Sequence, residues 1–241
     1  FLAANLGYAL AALENKKVAL IDLNLQFGDA FLFVSDRPAQ FTLSDVVRQI
    51  TRLDASFLAS SMIQVLPNFG VLAAPEEPEN AVAIKPEYIE TLLNMTISHY
   101  DYVILDIGRG LDAVSIKALD HANIIFPVLQ MTLPFVRDAK RLLSVFHSLG
   151  YPDERIALIA NRYEKGGEID LKDVENTLGL RVTHTVPNSF AAVATSINQG
   201  IPIVKLSARD AVAKSLALLA HSLVHGSMQN QGWLKNLLHI T

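Results

Sequence analysis

Short apolar runs alternate with amphipathic stretches along nearly the whole chain. The spacing predicts helices over residues 2–13, 43–50, 55–62, 85–99, 113–120, 135–149, 170–178, 190–198 and 208–225. It predicts strands over residues 17–22, 63–66, 70–73, 102–106, 124–129, 156–160 and 181–186. Pro86 stands near one helix start, and Gly150 and Gly179 close two others. Strands this uniformly apolar are covered on both faces, and helices between them imply right-handed crossovers in a parallel sheet. The expected fold is α/β: a doubly wound, mostly parallel sheet flanked by helices, forming one domain over residues 1–225 with a tail over 226–241. Residues 75–80 and 165–168 read as loops inside that domain, because the alternation continues across both. Ligands bind beyond the carboxyl ends of such strands. The polar residues there are Asp22, Asn24, Asp106, Asn161, Arg162 and Asn188, with Pro187 beside the last.

Composition narrows the class. The chain has 241 residues, 51% hydrophobic and 18% charged, enough to bury a core and too apolar for disorder. No apolar run reaches the roughly 18 residues of a membrane span. The net charge of −4 gives no uniform nucleic-acid footprint and leaves room only for a local basic patch. With no cysteine, disulfides, thiolate zinc sites and cysteine-held iron–sulfur clusters are excluded, and a reducing cytosol fits. Residues 1–13 are apolar but lack the basic start of a signal peptide. They read as a helix that begins inside a domain, so the reading frame is expected to continue upstream.

Three stretches carry candidate chemistry. Residues 17–29 (KVALIDLNLQFGD) end a strand at Asp22 and then run through a polar loop with Asn24, Gln26, Gly28 and Asp29. A carboxylate there can hold Mg²⁺ or orient a water near a phosphate, or it can simply cap the next segment. Residues 99–108 (HYDYVILDIG) place Asp106 after four apolar residues, which fits a magnesium-steadying carboxylate or a solvated strand end. Residues 156–163 (IALIANRY) and 186–188 (VPN) put amides and a guanidinium after two further strands. Asn161 and Arg162 can read a purine edge and cover its face, with Pro187 and Asn188 lining the pocket; without other support two ordinary turns are the simpler reading.

At this point a family resemblance emerges. FLAANLGYALA followed by KVALIDLNLQFGD is similar to the stretch after the Walker A loop in the MinD/ParA superfamily of P-loop ATPases. LQFGD, YDYVILDIGRGLDAVSIKALDHA and TLPFVRDAKRLL together resemble the pilus-assembly ATPases called CpaE or TadZ. The resemblance covers about residues 2–225. It implies a nucleotide-dependent homodimer with ATP and Mg²⁺ between subunits. Asp22 then matches the first switch aspartate and Asp106 the Walker B aspartate, both toward the metal. Asn161, Arg162, Pro187 and Asn188 match the adenine side. The implied role is an ATP-binding switch for assembly of a Flp-type pilus or secretion system. Its place is the cytoplasm, peripheral at the inner membrane or cell pole, with assembly proteins there as partners.

Three departures follow. No GxxxxGK[ST] occurs in the chain, so the first strand and phosphate loop are absent and the chain alone is expected to bind ATP poorly. Asn24 stands where a second switch aspartate is usual, so hydrolysis is expected to be slow, and a non-catalytic dimeric scaffold becomes an alternative. Gly108 stands where a proline often follows Walker B and is expected to loosen that loop. A DNA-partitioning ATPase is the other alternative, resting on Arg137, Lys140 and Arg141, which also read as a solvated helix face. The acidic balance disfavours DNA. His221 and His225, four apart, lack a third ligand and read as helix surface. Serines lack a GxSxG setting. Residues 232–240 (GWLKNLLHI) place Trp233, Leu234, Leu237 and Leu238 on one helical face, for docking on protein or for membrane contact.

Overall fold

The computed structural model describes residues 1–13 and 16–226. In chain order the elements are α1 (Leu2–Ala12), β1 (Val18–Leu23), α2 (Leu43–Arg48), α3 (Ala55–Ser61), β2 (Ile63–Leu66), β3 (Phe69–Leu72), α4 (Pro86–Ile97), β4 (Tyr102–Ile107) and α5 (Ala113–His121). There follow β5 (Val128–Leu129), α6 (Leu133–Ser148), β6 (Leu158–Tyr163), α7 (Leu171–Leu178), β7 (Val182–Pro187), α8 (Phe190–Gln199), α9 (Ile203–Leu206) and α10 (Ala211–His225). The architecture is the expected α/β fold. The elements group into two compact units, residues 1–121 with 191–208, and residues 122–190 with the chain from 209.

The first unit holds a sheet of order β2-β3-β1-β4. All six residues of β1 are buried, because it lies between two parallel neighbours. Strand alternation splits its side chains between two faces. Ala19, Ile21 and Leu23, with Val103, Leu105 and Ile107 of β4, pack against apolar residues of α2 to α5. On the other face Gly7 of α1 lies against Phe69 and Ile104. The buried Asn5 closes this layer: its Oδ1 accepts from Ile203 N at 2.8 Å, which ties α1 to α9. β4 lies at one edge of this sheet, and each of its six residues is partly exposed.

The second unit holds the parallel sheet β5-β6-β7. α6 buries Val136, Ala139, Leu143 and Phe146 on one stripe, at the 3.6-residue period. Asp170 caps α7, and Gly179 ends it in the left-handed region at φ 73°.

The departures from expectation have local causes. The strand over 124–129 shrinks to Val128–Leu129, because Pro127 offers no N–H to the ladder, and Ile125 keeps only a single bridge to Ile156. The last helix starts at Ala211, where the Asp210 carboxylate accepts from Val212 N. The 75–80 loop runs into a 3-10 helix at Pro78–Ala83. β2 pairs antiparallel with β3, because the two strands are joined by a two-residue connection. Among the described residues no helix is long and apolar enough to cross a membrane. The apolar face at 232–240 lies outside the described residues.

Candidate functional site

Asp22 and Asp106 end neighbouring parallel strands and are register partners. Asp22 is almost wholly buried, at 1% exposure, so its charge needs fixed partners. It finds two in the loop that follows. Oδ1 accepts from Asn24 N at 3.0 Å and Oδ2 accepts from Ala30 N at 2.9 Å. These bonds favour the carboxylate, yet burial outweighs them and, with Asp106 and Asp29 nearby, pushes Asp22 up to about 6. Burial also raises Asp106. The first turn of α1 faces the pair, close enough for the Phe1 nitrogen to feel both carboxylates. Two desolvated carboxyl groups thus sit side by side on adjacent strand ends. Hard oxygen donors in that condition fit a small divalent cation such as Mg²⁺.

The loop over residues 24–30 is built around Asp22. Asn24 Nδ2 donates to Phe27 O at 2.9 Å, which folds the turn on itself. Gly28 sits so close that a Cβ would meet Ala74 Cβ at 2.5 Å and Asp22 Oδ1 at 2.6 Å. The turn leaves Phe27 79% exposed at its tip. Gly108, expected only to loosen its loop, instead makes room for Asn24, whose Oδ1 would lie 2.9 Å from an added Cβ. Asn24 thus belongs to the scaffold of this loop.

In the second unit Asn161, Arg162, Pro187 and Asn188 gather at the ends of β6 and β7. The β6–β7 register shifts between Asn161 and Tyr163. Arg162, in the shift, takes φ 52°, the left-handed region that non-glycine residues avoid. Asn161 Oδ1 supports that turn by accepting from Arg162 N at 2.9 Å. Asn188 Nδ2 donates to Glu164 Oε1 at 2.8 Å. Ser189 Oγ donates to Asp210 Oδ2 at 2.7 Å, joining the loop after β7 to the cap of α10. Asp22, Asn24 and Asp106 therefore meet in one unit, and the four base-side candidates meet in the other.

Sequence reasoning missed the tight seat of Gly28, the seat of Asn24 at Gly108, and Glu164. A charged residue two positions after Arg162 was the available signal for the last. The other candidates stay bland. The His221 and His225 rings lie tilted at 48° with centroids 4.1 Å apart, and no group of three metal-binding side chains occurs among the described residues. Arg137, Lys140 and Arg141 are exposed on α6, where Arg141 lies 3.9 Å from Asp138.

Comparison with known proteins identifies the family and the fold. The family described as the CobQ/CobB/MinD/ParA nucleotide binding domain matches residues 1–203. The septum site-determining protein MinD of Thermotoga maritima is 30% identical over 227 residues, spanning 91% of this chain and 81% of that protein. Among solved structures, the ParA family ATPase of Chlorobium tepidum superposes with a TM-score of 0.88 at 27% identity, covering 92% of each chain. The MinD protein of Pyrococcus horikoshii complexed with Mg-ADP shares the fold, with a TM-score of 0.78 at 19% identity, over 94% of this chain and 90% of that one.

Proposed function

The chain belongs to the CobQ/CobB/MinD/ParA nucleotide-binding family, and on that premise we propose that it is an ATP-dependent molecular switch acting as a homodimer. The carrying observation is the in-register pair Asp22 and Asp106, buried at the strand ends and facing the first turn of α1. Mg²⁺ bound with ATP supplies positive charge beside the phosphates, and Asp22 and Asp106 are the residues that would hold it. Asn161, Arg162, Pro187 and Asn188 take the base.

Loop 24–30 gives the switch its readout. Both Asp22 oxygens are tied to main-chain N–H groups of that loop, so a change in what Asp22 faces moves the loop and the exposed Phe27 with it. Asn24 cannot serve as a carboxylate base, which points to slow turnover.

The resemblance of residues 25–29, 100–122 and 132–143 to pilus-assembly ATPases supports a role in placing a Flp-type pilus or secretion apparatus, with partners at the inner membrane or pole. The similarity to a ParA family ATPase favours a second reading, DNA partitioning through Arg137, Lys140 and Arg141. Sedimentation of the full-length protein with Mg²⁺ and a slowly hydrolysed ATP analogue tests the switch. A nucleotide-dependent dimer is expected, and a monomer under saturating analogue contradicts it. A salt-sensitive DNA gel shift in the same buffers selects partitioning over pilus work.

A further inference from the structure

We propose that Glu164 sets the purine preference of the base site by fixing the orientation of the Asn188 side-chain amide. The proposal rests on the base-side reading of Asn161, Arg162, Pro187 and Asn188 given above. A side-chain amide has two nearly isosteric ends, one donating and one accepting, and its surroundings decide which end faces a ligand. At Asn188 the surroundings are unambiguous. Glu164 Oε1 lies 2.8 Å from Asn188 Nδ2, and an ionised carboxylate can only accept. Turning the amide over would set Oδ1 against the carboxylate, two acceptors with no proton between them. Asn188 Oδ1 is therefore the free end and has no donor among the described residues. Asn161 is locked in the opposite sense, because its Oδ1 already accepts from Arg162 N at 2.9 Å. Its Nδ2 is the end left to donate.

The base site thus offers one carbonyl acceptor at Asn188 and one amide donor at Asn161. Adenine presents an exocyclic amino donor where guanine presents a carbonyl oxygen, while both carry ring-nitrogen acceptors. A donor from Asn161 satisfies either purine. The acceptor at Asn188 meets the amino group of adenine and repels the 6-oxo oxygen of guanine. Glu164 touches no nucleotide in this scheme and acts as a positioning residue. It lies outside the four base-side candidates, 24 residues before the amide it orients.

The test is a titration of the full-length protein, in Mg²⁺ buffer, with fluorescent methylanthraniloyl derivatives of ATP and GTP. The wild type is expected to favour the ATP derivative by about tenfold, the worth of one hydrogen bond gained or lost. In Glu164→Gln the new amide can donate or accept, the Asn188 amide turns freely, and the ratio falls to within about threefold. In Glu164→Lys the ammonium donates to Asn188 Oδ1, the amide turns over, and the preference moves toward the GTP derivative. Added charge acting on phosphates affects both nucleotides alike and cancels in the ratio. Glu164 is exposed, so thermal melts of both variants should match the wild type. An unchanged ratio in both variants, with the ATP derivative still bound, overturns the positioning role and leaves the nucleotide site standing. A wild type that binds both derivatives equally also overturns it. A wild type that binds neither overturns the nucleotide reading together with it.

Discussion

At the scale of single residues, Asp22 carries the sharpest consequence. Burial pushes its carboxyl up to about 6 in the fold, from an ordinary value of 3.8. The folded chain therefore holds this proton more tightly than the unfolded chain does. The stability cost of ionising Asp22 is absent below pH 3.8, grows as pH rises, and is complete above about pH 6. Asp22→Asn removes that cost. Without nucleotide or divalent cation, the variant's stability relative to wild type should be better at pH 7.5 than at pH 5 by about 1 kcal/mol. Urea melts at the two pH values measure this, and an equal difference at both contradicts it. Gly28→Ala should cost about 1–3 kcal/mol, because its Cβ overlaps Ala74 and the Asp22 carboxylate. A denaturation midpoint unchanged from wild type would show that the loop can simply move aside. The strand-end aspartates were legible in the sequence, since four buried apolar residues before a carboxylate already define a strand tip. The seat of Gly28 was not, because it depends on Ala74, 46 positions away in the chain. Glu164 was hidden for the same reason.

At the scale of elements, the alternation of apolar and amphipathic stretches gave nearly every helix and strand, and the misses follow local rules. Pro127 cuts a strand whose hydrophobicity reads as continuous. The capping Asp210 starts a helix three residues later than its apolar pattern suggests. α9 is only four residues long and escapes any periodicity. What holds α1 in place was also invisible. Asn5 is a polar residue in an apolar helix, and its reason is Ile203 N, far along the chain. Asn5→Ala leaves that buried N–H without an acceptor and should cost about 1–3 kcal/mol by chemical denaturation. A neutral result would mean that water or another acceptor reaches Ile203 N.

At the scale of the molecule, the alternation predicted a layered α/β fold, and that is what forms. The order β2-β3-β1-β4 was not readable, since nothing local tells β1 to lie between β3 and β4. Pairing is decided by which faces the helices can cover. Fold alone hosts many functions, so the functional argument rests on the site. Its central claim is that Asp22 and Asp106 form the cation side of an ATP site. The most direct measurement is binding of a fluorescent ATP analogue to the full-length protein, with Mg²⁺ or with EDTA, for the wild type and for Asp106→Asn. Mg²⁺ should tighten wild-type binding at least tenfold, and Asp106→Asn should lose most of that gain while its binding in EDTA stays near wild type. Equal affinity with and without Mg²⁺ in the wild type, or an undiminished Mg²⁺ effect in Asp106→Asn, would contradict the account.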